Sequence, residues 1–342
     1  MNIFRYIARR LLLAIFVLLG VSFITFILAH SVGGNPVCAW VGARGCADPT
    51  RVAYYTNLFH LNAPIYVQYY YYVVGLLQGN WGVSPSENFS PVISVIAARL
   101  PYTLEMAFFA IVESILIGVL FGVLASLYHH RPMDRSIRSI YLAGYSTPAY
   151  LMAIILLIVF VYYLHLLPSG EAVSSTLATS PPNTITGFPI LDSLLGGKFA
   201  YFTSSVESMV LPSLALSLTT FGVVTRVLRS SMLDTLHSNY IRTARAKGLD
   251  ERSVFFKHGL RNAMIPVVTL SSLIVTWLIT GTVFVETIFG IPGLGQYLVN
   301  ALLLSDYPGI LATTLIFAII VVSANLAADL LYAVVDPQIR LG

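Results

Sequence analysis

Six stretches of this chain are long and apolar enough to cross a lipid bilayer, roughly residues 11–31, 102–127, 139–166, 209–225, 264–285 and 309–334. A hydrocarbon core about 30 Å thick takes about 20 helical residues, and inside it every backbone N–H and C=O needs a partner within the protein. Continuous apolar runs meet that condition as helices. The expected fold class is an all-α polytopic membrane protein with six transmembrane helices. Composition agrees, because 57% of the 342 residues are apolar and only 10% are charged, which excludes a soluble domain of ordinary makeup.

The basic residues orient the spans. Arg5, Arg9 and Arg10 precede the first one, which puts the N-terminus in the cytoplasm by the positive-inside rule. The first run is longer than a signal-peptide core and lacks a cleavage site, so it is read as a retained helix. With six spans, all but Arg44, Arg51, Arg99 and Lys198 of the 19 basic residues then fall on the cytoplasmic side, and the C-terminus lies there too. The net charge of +4 reports this topology and gives no reason to expect nucleic acid.

Residues 32–100 are too many for a simple connector and are expected to form an extracytoplasmic segment after the first helix. The only cysteines, Cys38 and Cys46, lie in it. An oxidising exterior permits a disulfide between them, worth roughly 2.5 kcal/mol in the chain-entropy model; two free thiols are the alternative. Tyr54, Tyr55, Tyr66 and Tyr69 to Tyr72 crowd the same segment and are read as an interfacial aromatic belt. Asn88-Phe89-Ser90 matches a glycosylation acceptor, a pattern common by chance.

Within the spans, Gly118, Gly122 and Ser126 recur at intervals of four and make a ridge suited to close helix packing. Glu105 and Glu113 share that span. A charge near the bilayer centre costs about 2.5–3.5 kcal/mol on insertion scales, so Glu113 is expected to face the bundle interior. Both glutamates are candidates for a translocation path, with a structural hydrogen bond as the alternative for Glu113. Pro148 and Pro212 fall where they can open kinks.

The polar stretch 240–266, YIRTARAKGLDERSVFFKHGLRNAMIP, stands apart from the hydrocarbon around it. Residues 240–247 are good helix formers, Gly248 suits a left-handed helix end, and Asp250 can cap a second helix. On that helix Phe256, Leu260 and Met264 fall at spacings of four, as one apolar stripe. Six basic residues coat the resulting elbow, which therefore belongs in water at a membrane surface. Ala244 and Gly248 leave a side-chain-poor spot for close approach by another protein. Apolar Leu249, Phe255 and Phe256 beside the charges also favour a docking surface over a loop that only fixes topology.

The words of this elbow carry a resemblance. Residues 240–249 (YIRTARAKGL) and 260–269 (LRNAMIPVVT) resemble the cytoplasmic coupling loop of ABC importer permeases of the dipeptide/oligopeptide type. The general pattern of that loop is Glu-Ala-Ala, three residues, then Gly; here it is Arg242-Thr243-Ala244, three residues, then Gly248. Residues 76–82 (LLQGNWG), 99–105 (RLPYTLE), 286–295 (ETIFGIPGLG) and 328–340 (ADLLYAVVDPQIR) are similar to the same family, so the resemblance covers nearly the whole chain. It implies a type I ABC importer permease fold. Residues 1–100 would be an N-terminal helix plus extracytoplasmic segment, 101–335 the permease domain with a coupling loop at about 234–263, and 336–342 a cytoplasmic tail. It also implies as partners a second homologous permease subunit, two ABC ATPase subunits, an extracytoplasmic solute-binding protein and membrane lipid. Thr243, Ala244, Ala246, Gly248, Leu249 and Phe255 would carry the ATPase coupling. Cargo would be dipeptides or oligopeptides, with oligosaccharides as the alternative.

The chain has no chemistry of its own in view. No GxxxxGK[ST] occurs, the seven histidines never form HExxH, and no GxSxG is present. No cofactor is expected in this polypeptide; ATP and Mg would be bound by partner subunits. A competing class is an ion-coupled secondary transporter working through Glu113 or Asp329, which inverted repeats would favour. No internal repeat is evident. A membrane enzyme would need a catalytic constellation that the sequence lacks.

Overall fold

The computed structural model describes residues 3–31, 37, 46–58, 61–170, 177 and 184–335. The chain divides into two compact units, residues 1–101 with 292–322 and residues 102–291 with 323–342.

In the first unit, α1 (Ile3–Ser31) is apolar around most of its circumference, with Leu12, Phe16 and Ile24 exposed to what must be lipid. The helices α2 (Pro49–Leu58) and α3 (Ile65–Leu77) follow. The tyrosines of this region do not act as one belt. Tyr69 packs edge-on against Phe23 and Phe26 of α1, its hydroxyl donates to the Leu19 carbonyl at 3.1 Å, and Tyr72 also lies against Phe26. Tyr54, Tyr66, Tyr70 and Tyr71 remain exposed. The spacing of three between Tyr69 and Tyr72 puts both rings on the side of α3 that meets α1, which composition alone does not reveal. Cys46 is disulfide-bonded; Cys38 lies outside the described residues, as does the tail after residue 335.

The family-like words of this unit form a knot. The short strands β1 (Val83–Ser84) and β2 (Ser90–Pro91) pair antiparallel, and Trp81 packs with Val92, Ile96, Leu294 and Ala312. Buried Asp306 accepts hydrogen bonds from the hydroxyls of Ser84 and Ser86, from Ser86 N at 3.4 Å and from Gly309 N at 2.9 Å. Arg99 pairs with Glu87 at 2.6 Å and lies 5.5 Å over the Tyr297 ring. The hairpin is thus fastened to α11 (Leu294–Leu303) and to the start of α12 (Tyr307–Val335).

The second unit is built around α8 (Phe199–Leu236), whose most apolar stretch is 72% buried, against 11% for α1. At 38 residues it outruns the expected span 209–225 at both ends. The polar residues that hid its N-terminal end from a hydropathy reading, among them Ser205 and Ser208, are buried in the unit. α4 (Val92–Leu127) lays its small-residue ridge on α8: a Cβ on Gly118 would stand 2.5 Å from Val224 Cβ, and one on Gly122 would stand 2.9 Å from Leu228 Cβ.

The third span is a broken one. α5 (Pro132–Ser146) and α6 (Ala149–Leu156), continued as a π-helical turn to Tyr163, meet at 109° across Thr147-Pro148. Pro148 cannot donate a backbone hydrogen bond and starts the new helix. α7 (Pro189–Leu195) is a short helix between the broken span and α8. Burial would push the Asp192 carboxyl up, but it accepts from Thr186 Oγ1 and from the backbone N–H of Ile185, Thr186 and Gly187, and these hold it below the usual carboxylate range. Among the described residues four helices are long and apolar enough to span a membrane, or up to six if each bent pair counts as one. The architecture is the all-helical multi-pass one that the sequence indicates, with a single two-stranded hairpin among the described residues.

Candidate functional site: a basic elbow and an uncharged cavity

The elbow follows directly from α8. Ser238 leads into α9 (Asn239–Ala246), Lys247 closes it, and Gly248 turns the chain at φ 80°. No atom lies within 4 Å of where a Cβ on Gly248 would be, so glycine is required there by backbone conformation. Asp250 Oδ2 then accepts from Ser253 N at 2.9 Å and caps the next segment. That segment, Ser253–Leu260, is π-helical and passes through Arg261–Ala263 into α10 (Ile265–Phe289).

The π register changes which side chains face inward. A turn closed by i→i+5 bonds places Val254 and Gly259 one above the other, so the buried face runs through Val254, Phe255, Gly259, Ala263 and Val267. Leu260 and Met264 flank this face, whereas Phe256 is exposed. The expected stripe at spacings of four is therefore displaced by one position. Gly259 allows close approach to α8, since a Cβ there would meet Leu236 at 3.3 Å and Met232 at 3.6 Å.

The six residues singled out for coupling separate into two groups. Phe255 belongs to the main hydrophobic core, and Ala244 packs with Ile241 and Val254 beneath α9. These two face inward and hold the elbow's shape; the side-chain-poor spot expected at Ala244 is closed by Val254. Thr243, Ala246, Gly248 and Leu249 are exposed on the outer side. Arg245 and Glu251 bridge the bend with hydrogen bonds of 2.7 and 3.2 Å, both side chains being well exposed. Asn262 Nδ2 donates to Tyr240 Oη at 2.9 Å and ties the two arms together. The result is a stiff turn with an outward surface of small, apolar and basic groups.

Glu105 and Glu113 both point into the second unit. Glu105 Oε1 accepts from Ile190 N at 2.9 Å and so caps α7, and Glu113 Oε1 accepts from Ser213 Oγ at 2.8 Å. Their second oxygens are buried without a hydrogen-bond partner among the described residues. Sequence reasoning missed a third buried carboxylate, Glu286 on α10, which accepts from Thr103 Oγ1 at 2.7 Å. It falls just past the expected span 264–285, because glycines and a proline follow it, yet α10 runs on to Phe289.

A cavity of about 620 Å³ opens at the 109° break, between α5, α6, α8 and α10. Tyr145, Thr147, Tyr150, Thr219, Thr276 and Trp277 are among its walls, and no charged residue lines it among the described residues. Thr147, Thr219 and Thr280 donate their hydroxyls to carbonyls of their own helices, at 2.7, 2.7 and 3.1 Å.

A multi-pass helical bundle with a rigid basic elbow between its fourth and fifth spans is the architecture of a membrane transport subunit. Residues 118–341 match the family described as "Binding-protein-dependent transport system inner membrane component", and residues 3–107 match its N-terminal companion. The chain belongs to this family and is a permease subunit of a binding-protein-dependent ABC importer. It is 37% identical over 336 residues to the dipeptide transport system permease protein DppB of Escherichia coli (strain K12), covering 98% of each chain. It is 36% identical over 336 residues to the oligopeptide transport system permease protein AppB of Bacillus subtilis (strain 168), covering 98% of this chain and 99% of that one. With the probable D,D-dipeptide transport system permease protein DdpB of Escherichia coli it shares 35% identity over 328 residues, with 96% and 95% covered.

Proposed function

We propose that this chain forms one half of an ATP-driven peptide importer, with both termini in the cytoplasm and the elbow as the point where ATPase movement enters the membrane. The observation that carries this reading is the split character of the elbow. Its inner face, Ile241, Ala244, Val254 and Phe255, is locked into the unit, while Thr243, Ala246, Gly248 and Leu249 are presented outward on a stiff turn. A surface of that kind transmits a push without deforming. ATP and Mg are bound by two separate ATPase subunits, a second homologous permease completes the pathway, and an extracytoplasmic binding protein delivers cargo. Peptide is favoured as cargo by the names of the relatives above.

The uncharged cavity fits a path for zwitterionic peptides, because a wall with no fixed charge holds no peptide terminus tightly enough to stall it. Glu113, which accepts only from a side-chain hydroxyl of α8, is the carboxylate we assign to the pathway side; Glu105, which accepts from the backbone of α7, is assigned to holding that helix.

Gly248→Asp tests the elbow. In the importer reconstituted with its partners, this variant is expected to insert normally and to lose binding-protein-stimulated ATP hydrolysis; stimulation at the parent level would remove the elbow from the mechanism. Titrating the partner binding protein with matched sets of peptides and oligosaccharides decides the cargo. Uptake by this chain alone, without ATP, would favour an ion-coupled transporter instead.

A further inference from the structure

Asp134, in the first turn of α5, is fully buried, and Arg229 of α8 grips it at both oxygens, Nε to Oδ1 at 2.8 Å and Nη2 to Oδ2 at 2.9 Å. Arg138, one turn along α5, stands 3.6 Å from the same carboxylate. His129, from the α4–α5 turn, lies 3.0 Å from Arg229 Nη2 and 3.8 Å from Asp134 Oδ2, and His130 N donates to Oδ2 at 3.4 Å. The end of α4, the start of α5 and the last turns of α8 therefore meet on one carboxylate.

Two stiff segments leave this junction. Beyond Arg229, α8 runs about two turns to Leu236 and then into the elbow. In the other direction α5 runs to the break at Thr147-Pro148, where Tyr145, Ser146 and Thr147 wall the cavity. Along the way α5 lies so close to α8 that a Cβ on Gly144 would stand 2.5 Å from the Leu218 carbonyl oxygen. Apolar and small-residue contacts let helices slide, whereas a two-point guanidinium–carboxylate pair fixes register and orientation. A buried pair of this kind adds little net stability over an apolar replacement, so geometry is the property it supplies.

We propose that the Asp134–Arg229 pair is a strut that makes α5 move as one piece with the elbow, delivering displacement of the elbow to the cavity wall. Both are positioning residues: they touch neither cargo nor ATPase. The proposal rests on the reading of the elbow as the ATPase contact.

The test uses the complete importer in vesicles, with a radiolabelled alanine dipeptide as probe and Gly248→Asp in parallel. Asp134→Asn is expected to lower uptake per ATP hydrolysed at least tenfold, with stimulated hydrolysis staying within twofold of the parent. Arg229→Lys, which keeps the charge but loses the fork, should fall between, and the charge swap D134R/R229D should recover at least a third of parent uptake. Unchanged uptake per ATP in both single variants, or equal proportional loss of uptake and hydrolysis, would overturn the strut. Persistence of stimulation in Gly248→Asp would instead overturn the elbow reading.

A second measurement needs no cargo and serves if Asp134→Asn fails to insert. Spin labels at Ile140 and Arg242 should keep one distance when nucleotide is trapped in the parent, and two distances should appear in Arg229→Lys. A parent distance that changes on trapping would also refute the strut.

Discussion

The elbow and the outer knot are both places where the chain leaves a long helix and turns back, and they treat polar groups in opposite ways. In the knot, Asp306 is buried and its acceptors are taken up by Ser84, Ser86 and Gly309. In the elbow, Arg245 and Glu251 pair across the bend in open solvent, and Leu249 and Phe256 face outward unburied. A turn that satisfies itself internally has finished its work when the fold forms. A turn that keeps its frame buried and its surface unspent is available to a partner, and that difference separates structural from functional residues in this chain.

Four substitutions can break or sharpen this contrast. Asp306→Ala should have the largest effect, because each buried donor left unpaired costs about 1–3 kcal/mol and several point at this carboxylate. The expected outcome is loss of folded protein, read as thermal stability in detergent; an unaltered midpoint would deny the knot its role. Phe255→Ala, inside the elbow, should cost about 3–5 kcal/mol as a large-to-small core change. If it cost nothing yet abolished ATPase stimulation, Phe255 would belong to the docking surface after all. Glu251→Ala should cost only about 0.2–1 kcal/mol, less at high salt, as expected of an exposed pair. Leu249→Ala should leave stability within about 0.5 kcal/mol and still lower stimulated hydrolysis severalfold, an outcome the knot residues cannot give.

A pH scan adds a further contrast. The Asp192 carboxyl lies below its ordinary value, so its contribution to stability is complete above the unfolded value, about pH 4, and is lost as pH falls through the lower folded value. Unfolding of the parent and Asp192→Asn compared at pH 7 and pH 3 should show a difference that narrows in acid. A difference that grew in acid would reverse the assigned sign.

The features legible in the sequence are those set by local chemistry or by hydrocarbon length. Apolar runs marked the spans, Gly248 marked the bend, Asp250 marked the cap, and the spacing of Gly118 and Gly122 marked the face that α8 covers. What stayed hidden depends on partners far along the chain or on an unusual helical register. Asp134 and Arg229 are 95 residues apart, and nothing local to either one marks it as the other's partner. Phe255 looked exposed because the apolar stripe was placed on Phe256, Leu260 and Met264, one position away from the face that the π-helical segment buries. The N-terminal end of α8 fell outside the expected span because its serines and threonines are hydrophilic by type, although Ser205 and Ser208 are buried in the bundle.

The most direct test is to place a photo-activated cross-linker at Leu249 in the assembled importer and identify the product. Covalent capture of an ATPase subunit, lost in Gly248→Asp, is the result expected here. Capture of lipid alone, or labelling of Leu249 by a reagent confined to the outside of the cell, would contradict it.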